Sequence, residues 1–351
     1  MRPGLVFMDR DYVRTRDDLI FCVLGNVHPK DRVIAYLKYV PSTEGTWGSG
    51  TRRYKRVIPI YTVPAIQQTL EYLKENFPYY LFSDQTIGAL FSAVPRELVL
   101  DHYCPELELA KLRGREDLDV LQSSALRLAQ YLSYESSVAP SNFGVTGSIL
   151  LGIHNPAMSD VDLVVYGKAP SHDVKWAMLR LYKSNSMIKG LEQSGEDWRR
   201  FKIETRGITA AQADFLSSRT WNRGIFEGRW YSIHAIRSTD ERQRAYEELL
   251  FEPLEAVEAE VTISSDSEAI FLPSIYEVAN VKMNKGPEIR SILQLVSYDG
   301  LYTDVFGVGD VLKVMGLLEK VHDRKSHKHY HRILHGSTQI EGKDNIALSN
   351  L

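Results

Sequence analysis

The chain has 351 residues, 44% of them hydrophobic and 25% charged, with a net charge of −3. That is ordinary for a soluble globular protein and long enough for two or three domains. The slight acidity excludes a general electrostatic pull on nucleic acid, so any such contact must come from a local patch.

No apolar run reaches the ~18 residues of a membrane span. Met1-Arg2-Pro3-Gly4 leads into charged residues and carries no signal-peptide core. Cys22 and Cys104 form no ligand-spaced pair, although one disulfide between them stays open. The expected location is the cytoplasm.

Residues 1–113 read as an N-terminal α+β domain. Strands are expected over 19–24 and 32–40, then a mobile loop over 41–50, rich in Gly, Ser and Thr. Arg52-Arg53-Tyr54-Lys55-Arg56 follows. These cations suit a phosphate backbone, or a strand edge kept from aggregating. Helices are expected over 65–76, stopped by Pro78, and over 95–103. Over 116–134, Leu118, Leu121, Ala125, Leu128 and Leu132 recur at helical spacing and form a buried face. A core domain is expected over 114–248.

The most informative stretch follows. Phe143-Gly144-Val145-Thr146-Gly147-Ser148 leads through a turn-like linker into Ser159-Asp160-Val161-Asp162-Leu163-Val164-Val165. Strand residues two apart share a side, so Asp160 and Asp162 present two carboxylates toward one point. Hard oxygen donors of that kind suit Mg²⁺ or Mn²⁺. Gly147 and Ser148 lie where a strand turns into a helix over 149–153, so free amides can meet a phosphate. Ser148 serves there as a phosphate donor or as a helix cap. The plainer alternative is a solvated Asp-x-Asp strand end beside an ordinary turn.

Thr146-Gly147-Ser148, the spacer and Asp160-Val161-Asp162-Leu163 resemble the signature of the DNA polymerase beta-like nucleotidyltransferase superfamily. The order of the chain's parts and Phe271-Leu272-Pro273-Ser274-Ile275-Tyr276 also resemble archaeal stand-alone proteins labelled as polymerase beta-type subunits. The resemblance implies an α+β core with a mixed sheet. It also implies an enzyme that moves a nucleoside monophosphate from an NTP to a hydroxyl with Mg²⁺. Asp160 and Asp162 would bind metal, and Gly147 and Ser148 would hold the triphosphate.

Members of that superfamily usually carry a third carboxylate on a neighbouring strand. After a helix over 171–183, the next clear strand is 229–236, where the expected place holds Ser232 or His234. Glu204 and Glu227 are the alternative acids, and His234 is either a metal ligand or a hydrogen-bonded core residue. Arg219 and Arg223, around Trp221, are candidate nucleotide-binding residues. Trp221 either stacks a base or fills the core. Lys202 and Arg206 are weaker candidates of the same kind.

Residues 249–351 read as a β-rich, barrel-like domain of short strands and regular turns, with a hairpin over 309–321. From Lys313 to Arg332 there are six Lys/Arg against two acids, with Tyr330 interleaved. This is the best local candidate for RNA or DNA, or else a solvated hairpin tip. His322, His327, His329, His331 and His335 offer a compositional hint of metal binding. The functional expectation is Mg²⁺-dependent nucleotidyl transfer to an RNA end, a protein or a small molecule. The alternative is a catalytically impaired protein that binds nucleotide or nucleic acid.

Overall fold

The computed structural model describes residues 6–58, 62–84, 86–184, 187–241, 244–340 and 344–350. The leader reading of residues 1–4 lies outside them. The chain forms two units, each assembled from separated stretches. The first draws on 1–26, 37–57 and 97–242, the second on 27–36, 58–96 and 243–351. Residues 1–113 are therefore divided between both units.

The early strands are β1 (Tyr12–Thr15), β2 (Ile20–Val23), β3 (Arg32–Pro41), β4 (Trp47–Ser49), β5 (Arg52–Arg56), β6 (Leu81–Asp84), β7 (Ala89–Pro95) and β8 (Val99–Tyr103). In the first unit they pair in the order β4-β5-β3-β2-β1-β8. In the second unit the first residues of β3 pair with β7, and β7 pairs with β6. Helix α1 (Val63–Asn76) starts where Thr62 accepts from the Ala65 amide at 3.3 Å and stops before Pro78.

Two expectations are corrected here. The helix over 95–103 does not form. After one short turn at Arg96–Leu98 the chain runs as β8, antiparallel to β1. Pairing on a waiting strand outweighs the weak local helix signal. The end of the expected loop over 41–50 is also a strand, because β4 pairs with β5.

The rest of the first unit comprises α2 (Pro105–Arg113), α3 (Val120–Ser136), β9 (Phe143–Val145), α4 (Gly147–Leu150), β10 (Val161–Tyr166), α5 (Lys168–Lys183), β11 (Ile188–Gly190), α6 (Leu191–Ser194), α7 (Glu196–Arg206), α8 (Ala210–Arg219), β12 (Arg223–Phe226) and β13 (Arg229–Ile236). Asp119 caps α3 with a capping box to Gln122, so the helix begins after Leu118. Leu121, Ala125, Leu128 and Leu132 are fully buried, as their spacing predicts. Helix α5 begins at Lys168, ahead of the expected Ser171. Gly167, at φ +100°, precedes it, and the Ser171 hydroxyl bonds back to the Gly167 carbonyl at 2.7 Å.

The five-stranded sheet runs β11-β12-β13-β10-β9, with β10 and β13 parallel and the other neighbours antiparallel. Strand β10 lies inside the sheet between β13 and β9, and Val161, Leu163, Val164 and Val165 are buried on both of its faces. This part of the chain is thus α+β with a mixed sheet.

In the second unit, β14 (Leu249–Glu268), β15 (Ser274–Lys285), β16 (Ile292–Ser297), β17 (Val311–Asp323) and β18 (Lys328–His335) form a closed ring, because β17 pairs back onto β14; β19 (Asn345–Leu348) adds to β17. The spatial order β17-β14-β15-β16 is a Greek key. Strand β18 closes the ring between β17 and β16, antiparallel to the first and parallel to the second. Val257, Ala259, Val261 and Ile263 alternate into its core. The hairpin expected over 309–321 is instead one strand, β17. The turn lies at 324–327, where the Asp323 carboxylate accepts from the Lys325 and Ser326 amides at 2.9 and 3.0 Å.

Candidate active site

Asp160 sits immediately before β10, and Asp162 is the second residue of that strand. Helix α4 is short and follows β9 directly. The Thr146 amide donates to the Asp162 carbonyl at 2.9 Å, and its hydroxyl donates to the Arg10 carbonyl at 2.7 Å. Gly147, at φ +69°, has its Cα against the Asp162 carboxylate. A Cβ there would lie 2.4 Å from Oδ2. Both the backbone conformation and the close approach require glycine.

Asp160 keeps an exposed edge, yet protein crowds its carboxyl. That burial, with the neighbouring Asp162 charge, pushes its pKa up to about 6, against the opposing fields of Arg56 and Arg223. The two carboxylates therefore feel each other, as a shared cation site requires.

Ser148 is buried, and its hydroxyl lies 3.3 Å from that of Ser159. Ser159 in turn accepts from the Asn155 amide at 3.0 Å. The residue at the N-terminal boundary of α4 is Thr146, so capping by Ser148 is not its role here.

The place expected for a third acid is occupied by Ser232. It is the partner of Asp162 in the parallel pair β10–β13 and of Arg223 in the antiparallel pair β12–β13. Its hydroxyl donates to Asp162 Oδ1. His234 Nε2 lies 3.0 Å from the same hydroxyl. With the serine proton committed to Asp162, Nε2 must carry the histidine proton and donate. Burial, followed by the fields of Arg10, Arg223 and Lys38, holds His234 well below its ordinary pKa, so the ring is neutral.

The alternative acids stand elsewhere. Glu227 occupies the β12–β13 turn at φ +49° and is paired with Arg127 at 2.6 Å. Glu204 is exposed on α7. Of the two expected arginines, Arg223 sends its field onto Asp160 and His234. Arg219 ends α8, its guanidinium over the Phe215 ring. Trp221 is 1% exposed and fills the core. Lys202 lies on α7 over Trp198 and Phe201, and Arg206 ends the same helix.

Three cations of the N-terminal part act in this region: Arg10 from the turn before β1, Lys38 from β3 and Arg56 from β5. Arg56 belongs to the basic run already evident in the sequence. Nothing local marks Arg10 or Lys38; Lys38 is buried with its ammonium on the Tyr12 hydroxyl.

No family model matches the chain. Over 336 residues it is 27% identical to an uncharacterized protein, MJ1086, of Methanocaldococcus jannaschii, covering 94% of this chain and 95% of that protein. No solved structure matches it. The similarity thus extends over nearly the whole of both chains, with the Asp160–Asp162 region inside it.

The cationic stretch of the second unit is less available than its sequence suggests. Arg332 is buried, paired with Glu319 at 2.6 Å and set over the Phe251 ring at 3.7 Å. Lys313 donates to the Ser349 carbonyl at 3.0 Å. The exposed cations Arg324, Lys325 and Lys328 lie at the β17–β18 turn. His335 is buried against Ser297 and Tyr302, and His331 meets Ser291 at 2.7 Å. His322 and His329 touch ring to ring. Among the described residues these histidines gather no third ligand for a metal.

Among the described residues, no helix is long and apolar enough to cross a membrane.

Proposed function

We propose that this protein is a Mg²⁺-dependent nucleotidyltransferase that moves a nucleoside monophosphate from an NTP to a hydroxyl acceptor. The observation that carries this is the contact of Asp162 with Gly147, beside Asp160. It sets two mutually repelling carboxylates against a glycine turn, with Arg56 and Arg223 acting on Asp160 and Arg10, Lys38 and Arg223 acting on the neighbouring His234. The donor set fits Mg²⁺ or Mn²⁺: two hard carboxylates whose repulsion a cation would relieve. Such an ion neutralises phosphate charge and polarises the phosphoryl group when bound. Asp160 and Asp162 would hold it. Ser232 fixes the rotamer of Asp162, and neutral His234 fixes Ser232. Arg223 and Arg56 supply the positive field that a triphosphate needs.

Ser232 at the third-acid position favours a second reading, in which nucleotide binds without turnover. One experiment separates the two. The protein is incubated with each labelled NTP, Mg²⁺ or Mn²⁺, and RNA or protein from the source cell. Pyrophosphate release abolished by Asp160→Ala and Asp162→Ala supports transfer. Saturable NTP binding with no pyrophosphate supports the second reading, and absence of both removes the nucleotide site altogether.

The acceptor side rests on the barrel. Its ring order, with a parallel pair closing a Greek key, is that of an OB-type barrel. Folds of that type bind oligonucleotides with the face of their second and third strands and with the loop between their fourth and fifth. Here that loop is the turn bearing Arg324, Lys325 and Lys328, which supports a single-stranded nucleic acid as partner.

A further inference from the structure

The first unit gathers a second set of metal-type ligands, away from the Asp-x-Asp strand. Asp11 precedes β1, and His102 and Cys104 belong to β8 and the residue that follows it. Tyr12 pairs with Tyr103 and Val13 with His102. The same register sets Asp11 opposite Cys104. Residues two apart on a strand share a side, so all three side chains rise from one face of this strand pair.

Their donor atoms lie within 4.8 Å of one another. His102 Nε2 is 2.8 Å from Asp11 Oδ2 and 3.6 Å from Cys104 Sγ. Around tetrahedral zinc, bonds of about 2.0–2.1 Å to nitrogen and about 2.3 Å to sulfur place those two atoms about 3.5 Å apart. The sulfur is already at that separation. The carboxylate must draw back by about 0.5 Å. Sγ also lies 3.9 Å from Nδ1, beside the ring, so a turn about the cysteine Cα–Cβ bond must bring it to the Nε2 side.

A nucleophilic cysteine–histidine–aspartate relay is the competing use of these residues. A relay needs sulfur and carboxylate on opposite ring nitrogens. Here both approach Nε2 most closely, as ligands of one ion would. The surroundings fit that use. Asp11 is fully buried and accepts from the Met8 amide at 2.9 Å, which orients its carboxylate as outer-shell partners orient metal ligands. Cys104 precedes α2, whose N-terminus faces the sign of charge that a thiolate ligand carries. The Phe7 ring packs on His102 at 4.4 Å.

We propose that Asp11, His102 and Cys104 bind one zinc ion, with its fourth position open to solvent beside the partly exposed cysteine. The ion would fasten the turn carrying Arg10, the cation that reaches His234. The proposal is independent of nucleotide chemistry.

The test uses the full-length protein purified without chelator, then loaded with cobalt in place of its metal. One equivalent of zinc per chain is expected, and a thiolate-to-cobalt charge-transfer band in the cobalt form. Cys104→Ser should abolish the band. His102→Gln should weaken metal affinity by more than the roughly 10–100-fold of an outer-shell change. Asp160→Ala/Asp162→Ala should keep both zinc and band, which separates this site from the carboxylate pair. Should Cys104→Ser fail to fold by circular dichroism, His102→Gln carries the test. A wild-type cobalt spectrum without the band overturns the proposal. So does a band that survives in Cys104→Ser, or zinc lost in Asp160→Ala/Asp162→Ala.

Discussion

Ser232 donates its hydroxyl proton to Asp162 from the adjacent parallel strand, one rung of the sheet holding Arg223, Ser232 and Asp162 together. That rung ties one of the two carboxylates to a neutral donor, whereas Asp160 is left to the repulsion of its neighbour. Ser232→Ala should cost about 1.5–3 kcal/mol of stability through the lost donor to a charged group. Ser232→Asp should lower the melting temperature in chelator and restore it with Mg²⁺, a larger ion-dependent rise than in the wild type. Melting curves with and without Mg²⁺ check both, and equal Mg²⁺ shifts in wild type and Ser232→Asp would remove Ser232 from the metal's reach.

The titration of Asp160 has a definite sign. Its native pKa is raised from 3.8 to about 6. Between those values the native state keeps a proton that the unfolded chain has released. Metal-free stability should therefore fall as pH rises through this window, and Asp160→Asn should remove that fall. Because an ion must displace the proton, Mg²⁺ affinity should weaken by up to about tenfold per pH unit below 6. Denaturant melts in chelator across pH 4–7, with Mg²⁺ titrations alongside, read both effects.

Gly147→Ala places a methyl group into the Asp162 carboxylate and a side chain at φ +69°. The backbone strain alone should cost about 1–3 kcal/mol. Mg²⁺ binding should suffer beyond that, because Asp162 must move. Calorimetric Mg²⁺ affinity in the folded variant is the measurement. Unchanged affinity would separate the glycine turn from the metal site.

The basic stretch of the barrel should split into two behaviours. Arg332→Ala leaves Glu319 buried and unpaired and should cost about 3–5 kcal/mol. Lys325→Ala and Lys328→Ala, at the exposed turn, should change stability by no more than about 0.5 kcal/mol. Each should flatten the salt dependence of single-stranded nucleic-acid binding by about one unit in log–log slope. An identical slope in the double variant would leave that turn a solvated tip.

Legibility in the sequence followed the range of the forces involved. The α3 stripe was readable because Leu121, Ala125, Leu128 and Leu132 sit on one helical face within a single element. Asp160 and Asp162 were readable because strand alternation is local. Strand β8 was not, because its pairing partner β1 lies far back in the chain and decides its conformation. Arg10 and Lys38 stood outside any motif for the same reason: strand pairing across the N-terminal half delivers them. The run from Lys313 to Arg332 showed its charge but not its direction. One of its arginines turns inward to Glu319, and alternation along β18 cannot be phased without the ring that closes around it.

The interleaving of the two units along the chain sets an order on their synthesis. The first can complete only when residue 242 has emerged, while residues 27–36 and 58–96 of the second are already outside the ribosome, waiting for the barrel strands after 243. At about 5–20 residues per second that wait lasts many seconds. During it, β6 and β7 can pair with each other and with the first residues of β3, but most of their unit does not yet exist. Nascent chains stalled once residue 242 has cleared the exit tunnel should therefore be protease-resistant through the five-stranded sheet and cleavable within 62–96, a pattern that full-length release should erase.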